Sequence, residues 1–533
     1  MKGLIKMYTN YNINQFKLDI SLDYIPEKHH VAHYINGLVD SLEIHHPYEF
    51  GRPREYSLAA VLKLLLFAYT RGVFTSRKIN VFVQENMPAR WLTQDGLPSA
   101  STICRCRRAP ELQAILDKGF ESLVDYLREH RLIDDQLSID GTKLLADANK
   151  YSFVWKKNTI RFDESNQDKI KELLVELKAA YAAAYLPADT PITLDGLEEV
   201  ITILESRLED LEVMVQETAT LSPNPAKQER RKLKSMMTKL KERRDKHQNY
   251  LDQSTTFGER NSYSKTDTDA TFMRMKDDHM MNGQLKPGYN LQLATSNQYA
   301  LAYSIYPNPT DTRTLQPFLT THERLMHSMK FLSMDAGYGS EANYRFLEDG
   351  FPNLTALIPY GTMLKEQTKK WLTDEKKVMN WHYDESEDYY IDPQGVRFNF
   401  SAYRQRTDKY GMSRDFKEYK AERYTPDNQE IPEALTEKGY VRKIMVNPSW
   451  EYFKAKQRTY FSTSECQAVY QRRKIDVETT FGFLKGSLGF TRCHVRGKEK
   501  VSQEVGIALM ACNLHKLSLN AQKNTLAKEK QKI

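Results

Sequence analysis

Leu137-Ser-Ile-Asp-Gly-Thr-Lys-Leu-Leu-Ala-Asp147 is the stretch on which the reading of this chain turns. Leu137 and Ile139 alternate with polar neighbours, the period-2 pattern of a half-buried strand. Asp140 stands where that strand runs into Gly141. A second short apolar strand, Lys330-Phe-Leu-Ser-Met-Asp335, also ends in an acid, ahead of Ala-Gly-Tyr-Gly339. Between the two, Gly288–Thr295 carries Tyr289, Leu291 and Leu293 on one face, and Tyr299–Tyr306 follows after Ser296-Asn-Gln298. That spacing predicts an antiparallel hairpin. Pro309-Thr-Asp-Thr312 predicts the cap of a helix running to about His327. A helix over Glu341–Asp349 and a strand over Leu354–Ile358 complete an α/β fold around a mixed sheet.

The flanks read differently. Residues 1–50 form an N-terminal arm with His29, His30, His33, His45 and His46, whose spacing does not suit a metal site. Residues 51–131 predict a compact helical unit. Its helices are Ser57–Tyr69, closing at Gly72; Ser76–Glu85; and a third starting at Pro98–Arg108. The third is capped by Ser99, Ser101 or Thr102 and carries Arg105, Arg107 and Arg108. Short helices ending in a capped basic one suit a helix-turn-helix contact with DNA. Residues 161–260 interrupt the sheet with two antiparallel helices, since Leu197, Ile201, Leu204, Leu208 and Leu211 step by four and three as a heptad seam does. Residues 360–465 read as a second, partly β insertion, and 466–520 as helices closing the core. The core is thus expected in three pieces, 132–160, 261–359 and 466–520, with a basic tail over 521–533.

The chain has 533 residues, 28% charged and 40% hydrophobic, the balance of a folded globular protein. No apolar run approaches the roughly 20 residues of a membrane span, and the first residues lack the pattern of a secretory signal. Five scattered cysteines give neither a disulfide framework nor a zinc site. These features predict a cytoplasmic, nucleoid-associated protein without a membrane. Lys and Arg exceed Asp and Glu by 77 − 70 = 7. Residues 471–500 hold eight bases against three acids, a local surface suited to polyanions.

Three acids stand out by position: Asp140 and Asp335 at strand ends, and Glu478 on the basic helix Arg472-Arg-Lys-Ile-Asp-Val-Glu-Thr-Thr-Phe-Gly-Phe-Leu-Lys485. Oxygen ligands without His or Cys suit Mg²⁺ or Mn²⁺, and two such ions can drive phosphodiester chemistry. Asp147, Asp267 and Asp269 lie outside the strand-end context and read as structural.

With these residues in place, the chain resembles the DDE transposases of bacterial insertion sequences that carry an InsH-like helical N-terminal domain. The resemblance rests on Gly51-Arg-Pro53, Ser76-Arg-Lys-Ile79, Ile139-Asp-Gly-Thr-Lys143, Lys286-Pro-Gly-Tyr-Asn290, Met334-Asp-Ala-Gly-Tyr338 and Arg492-Cys-His-Val-Arg-Gly-Lys498. It implies an RNase H-like core with Asp140 on the first strand, Asp335 on the fourth and Glu478 on a late helix, holding two Mg²⁺ or Mn²⁺ ions. The family's Tyr-x₂-Arg-x₃-Glu-x₆-Lys signature maps onto Tyr470, Glu478 and Lys485. Four residues rather than three separate Arg473 from Glu478, so Arg472 and Arg473 both stand for its Arg. Lys485 and that Arg would clamp DNA phosphates. The implied activity is cut-and-paste transposition on double-stranded DNA, at terminal inverted repeats and target, by a homodimer. An RNase H-like nuclease without strand transfer and a non-catalytic DNA-binding protein are the alternatives. The seven-residue step from Glu478 to Lys485 predicts one helix face for both.

Overall fold

A computed structural model describes residues 24–44, 55–180, 192–218, 223–275 and 283–530. His45, His46 and Gly51-Arg-Pro53 lie outside them. The chain divides into two compact units: Ile133–Phe481 with Thr491–Glu504, and the N-terminal region with Gly482–Phe490 and the chain from Val505 onward. The expected closing segment 466–520 is therefore split between the two.

The larger unit is built on a six-stranded mixed sheet. Its strands follow from the sequence: β1 is Gln136–Leu145, and a two-stranded ribbon, β2 Phe153–Trp155 with β3 Ser262–Ser264, stands at the root of the first insertion. Then come β4 Thr271–Arg274, β5 Leu285–Ser296, β6 Tyr299–Tyr306, β7 Phe331–Ser333 and β8 Thr355–Leu357. β6, β5 and β1 run as an antiparallel meander, and β7 and β8 add parallel to β1. Gly288 pairs with Leu145 on one side and Thr271 on the other, so β4 extends the edge of β5 that β6 occupies. Asn297 and Gln298 both have positive φ, the two-residue turn whose twist matches a hairpin. The order β6-β5-β1-β7-β8 is the mixed sheet that the RNase H-like expectation requires, with β1 at its centre.

The first insertion is three helices rather than two: Lys156–Ala180, Leu194–Glu217 and Pro225–Phe257. The heptad seam is real. Leu197, Ile201, Leu204 and Leu211 are buried against Ile170, Leu174, Leu177, Leu233 and Leu240. The third helix comes from the stretch before the predicted seam, where charged residues mask a sparser apolar stripe. The second insertion holds the antiparallel sheet β13-β12-β11-β10-β9, with β9 His382–Asp384, β10 Tyr389–Ile391, β11 Arg397–Thr407, β12 Ser413–Ala421 and β13 Lys443–Val446.

In the other unit, Ser57 and Ser99 cap helices Leu58–Thr70 and Ala100–Cys106, and Thr75, not Ser76, caps Ser76–Glu85. Helices Val31–Ser41, Met87–Leu92 and Leu112–Glu129 complete the set. His30 caps the first of these through Nδ1 and His33 Nε2 bonds the Pro26 carbonyl, so these histidines serve the fold. The C-terminal helix, Lys498–Lys530, buries Ile507, Ala508, Leu509, Met510, Ala511, Cys512 and Leu514 in a continuous run, which is how a helix enclosed on all sides reads. No described helix is long and apolar enough to cross a membrane.

Candidate active site

Asp140 and Asp335 are aligned by register. β1 and β7 are parallel neighbours with Ser138 opposite Ser333, and the two hydroxyls lie 3.0 Å apart. Each acid stands two residues beyond that pair, and a strand repeats its face every two residues. Asp140 Oδ1 accepts the Gly141 N–H at 2.7 Å. Asp335 caps the turn Ala336–Tyr338, accepting the Gly337 N–H at 2.9 Å.

The wall beside them is polar and buried. The Tyr338 hydroxyl donates to Gln292 Oε1. Burial pushes this hydroxyl far above its ordinary pKa, and the charges of Asp311, Asp140 and Asp335 add to the effect. Asp311 belongs to this wall, which its position in the sequence does not announce. Its stretch predicts a helix cap; the helix begins only at Leu315, runs to Thr321 and, after His322, resumes over Glu323–Met326, close to the expected end. Asp311 Oδ1 accepts from Asn290 at 2.7 Å, Gln292 at 2.8 Å and Lys143 at 3.3 Å. A Cβ on Gly141 would lie 2.4 Å from the same oxygen, so Gly141 is what lets Asp311 reach β1. The available signal was Asn290, Gln292 and Lys143, three polar residues inside otherwise apolar strands.

Helix Ser464–Gly482 packs Cys466, Val469 and Tyr470 against Phe331 and Leu357. This orientation settles which Arg faces the carboxylates. Arg473 Nη1 lies 3.5 Å from Asp140 Oδ2, its guanidinium stands by the Tyr470 ring, and its buried Nε has no hydrogen-bond partner. Burial raises the Tyr470 hydroxyl pKa against the pull of Arg473. Arg472 turns away to Asp134 at 3.2 Å and Asn297 at 2.8 Å. Glu478 is exposed on the same helix. It lies five positions on from Arg473, about 140° around the helix. Among the described residues, no three His, Cys, Asp or Glu side chains are close enough to hold a metal ion. Asp140 and Asp335 are the acids brought together at the sheet, and their all-oxygen chemistry fits a hard divalent cation.

Other expectations change. The helix passes into a π-helical turn over Phe483–Ser487, so α-helical counting does not put Lys485 on the face of Glu478. Much of the basic cluster is paired internally. Arg492 and Arg496 both hold Asp147, at 3.0 Å each. The Gly497 and Lys498 N–H groups bond Asp267 and Asp269. The three acids set aside as structural therefore anchor Arg492–Lys498. Arg107 is buried; its guanidinium donates to the Phe74 carbonyl and the Tyr69 hydroxyl, each at 2.9 Å. It cannot also serve a phosphate. Arg105 and Arg108 are exposed.

A family model of the transposase DDE domain matches residues 260–514, and one of the transposase domain (DUF772) matches residues 20–109. No curated protein and no solved structure matches the chain. The first match contains Asp335 and Glu478; Asp140 precedes it, across the helical insertion. A mixed sheet in RNase H-like order, two strand-end acids in register and these two transposase matches make the chain a DDE transposase of the insertion-sequence family, a divalent-metal-dependent enzyme that acts on DNA.

Proposed function

We propose that the enzyme performs cut-and-paste transposition, with Asp140, Asp335 and Glu478 as its catalytic carboxylates. The observation that carries this is the shared register of Asp140 and Asp335 beyond the Ser138–Ser333 pair. The three carboxylates would hold Mg²⁺ or Mn²⁺, as two ions. When bound, such ions activate an attacking water or hydroxyl and stabilise the leaving oxygen. The protein's own part is positional. Arg473, whose Nη1 lies 3.5 Å from Asp140 Oδ2, suits a phosphate oxygen at the carboxylates. In the first step water attacks phosphorus at the transposon end, and the bond to the 3′ oxygen breaks. In the second, the freed 3′-hydroxyl attacks a target phosphodiester, forming a new P–O bond as the bond to the target's own 3′ oxygen breaks.

Arg105, exposed on its capped helix, Arg108, exposed just past its end, and Lys485 are the further DNA contacts in this reading. The terminal inverted repeats and the target are the substrates. Two ends make a two-fold homodimer the economical synaptic assembly, working in the cytoplasm on the nucleoid.

The test is purified protein on its own end DNA. Nicking should require Mg²⁺ or Mn²⁺ and stop in EDTA. Asp140→Asn, Asp335→Asn and Glu478→Gln should each abolish it while DNA binding persists. Normal cleavage by any of the three removes that residue from the carboxylate set. Cleavage without a joined product would favour a nuclease.

A further inference from the structure

Helix Pro225–Phe257 of the first insertion buries Leu233, Met236, Met237, Leu240 and His247. The opposite face carries Lys227, Arg231, Lys232, Lys234, Lys239 and Lys246, all exposed. At 100° per residue these fall into two rows. Lys232, Lys239 and Lys246 repeat every seven positions along one; Lys227, Arg231 and Lys234 make the other. Ser235, also exposed, lies between the rows. Among the described residues, none of the six charged side chains makes an ion pair or hydrogen bond.

Acids stand close by, but among the described residues none is paired with these six bases. The neighbouring helix Leu194–Glu217 carries eight acids and one base, and helix Pro225–Phe257 carries ten bases and four acids. The pairs that form, Lys241 with Glu205, Arg244 with Glu198 and Glu229 with Arg207, tie the two helices together. Glu242 and Asp245 interrupt the outer face near one end, and Asp245 is held by Arg244. A helix charged only for solubility mixes both signs over its surface. Here the charges are sorted, acids to one helix and unpaired bases to the outer face of the next.

We propose that this face is a DNA-contact surface, whose two basic rows follow the phosphate backbone of a duplex. The helix rises about 28 Å from Lys227 to Lys246, the length of about eight base-pair steps. Ser235 supplies a neutral donor to phosphate between the rows. The contact carries no base specificity, so it suits target or flanking DNA rather than recognition of a particular sequence. The proposal rests on the chain's acting on DNA and not on the assignment of the carboxylates.

The test measures affinity of the full-length protein for long duplex DNA of random sequence across a series of salt concentrations. Each lost phosphate contact flattens the log–log slope by about 0.9. The triple variant Lys232→Gln/Lys239→Gln/Lys246→Gln should therefore flatten it by about two to three units. Glu209→Gln/Asp210→Asn/Glu212→Gln on the acidic helix should leave it unchanged. If the triple variant misfolds, Lys239→Gln alone should remove about one unit. An unchanged slope in a variant that melts like the wild type overturns the proposal. So does an equal slope change in the acidic-helix control. Loss of self-association with an unaltered slope would assign the face to a second copy of the chain instead. Asp140→Asn, measured alongside, should keep the wild-type slope, so a failure of the carboxylate reading shows in cleavage and not here.

Discussion

Gly141 and Asp311 show how a single atom's space shapes the site. Gly141→Ala puts a Cβ 2.4 Å from Asp311 Oδ1 and 2.5 Å from Gln292 Nε2. Overpacking of this kind costs about 1–3 kcal/mol. The variant should melt lower and nick end DNA at least about tenfold more slowly, because it displaces the strand that carries Asp140. Asp311→Ala should behave similarly by leaving the amides of Asn290 and Gln292 and the ammonium of Lys143 without their acceptor. Asp311→Asn keeps an acceptor oxygen and should recover most of the melting temperature. A melting curve beside a nicking rate for each variant checks this; full activity in Gly141→Ala would show the contact to be idle. Arg107 gives the opposite expectation. Arg107→Met removes a charged donor to the Phe74 carbonyl and the Tyr69 hydroxyl, hydrogen bonds of a kind worth about 1.5–3 kcal/mol. It should lower thermal stability and leave the salt dependence of DNA binding unchanged.

At the scale of elements, the segment Thr491–Glu504 depends on buried acids. The isolated bridge between Leu145 and Arg492 lays it beside β1. His494 bonds Glu504 through both its backbone N–H and its ring. Asp267 accepts the Tyr289 hydroxyl at 2.8 Å and the Gly497 N–H at 3.2 Å. Burial nevertheless pushes its carboxyl above the ordinary range, outweighing both hydrogen bonds. The sign follows. As pH rises above the ordinary carboxylate pKa, the unfolded chain releases this proton while the folded chain retains it, so stability falls until the raised folded pKa is passed. Asp267→Asn lacks that loss and still offers an acceptor to Tyr289. Its melting temperature should gain on the wild type as pH is raised through the carboxylate range. Parallel pH dependence in the two proteins would show that Asp267 is already ionised in the fold.

For the whole molecule, the N-terminal helices do not make a complete unit by themselves. Phe490 is fully buried, with its ring 5.2 Å from Phe74 and 6.3 Å from Tyr69. A Cβ on Gly119 would lie 2.7 Å from Met510 Cε, and the Ser518 hydroxyl bonds the His29 carbonyl at 2.7 Å. A fragment ending near Arg131 would expose the apolar surface that these C-terminal residues cover. It should show no cooperative melting and should bind hydrophobic dyes. A fragment that melts cooperatively would make the C-terminal helix dispensable and allow end recognition by Arg105 and Arg108 to be measured in isolation.

The sequence by itself determined what local periodicity and capping report. The alternation in β1 and β5, the 4-3 seam of Leu197–Leu211, the Ser57 and Ser99 caps and the two strand-end acids depend on neighbours a few residues away, and such patterns record which face of an element is buried. Only the tertiary structure decided what covers each face. Lys143 meets Asp311 and Arg473 meets Asp140 across long stretches of chain. Arg107 turned inward because Tyr69 and Phe74 offered it acceptors, although its spacing was that of an exposed base. The bases of 471–500 looked like a polyanion surface until Asp134, Asp140 and Asp147 were brought against them. A charge in sequence has a sign and no address; the fold assigns it a counter-ion or leaves it, as on the outer face of helix Pro225–Phe257, for another molecule.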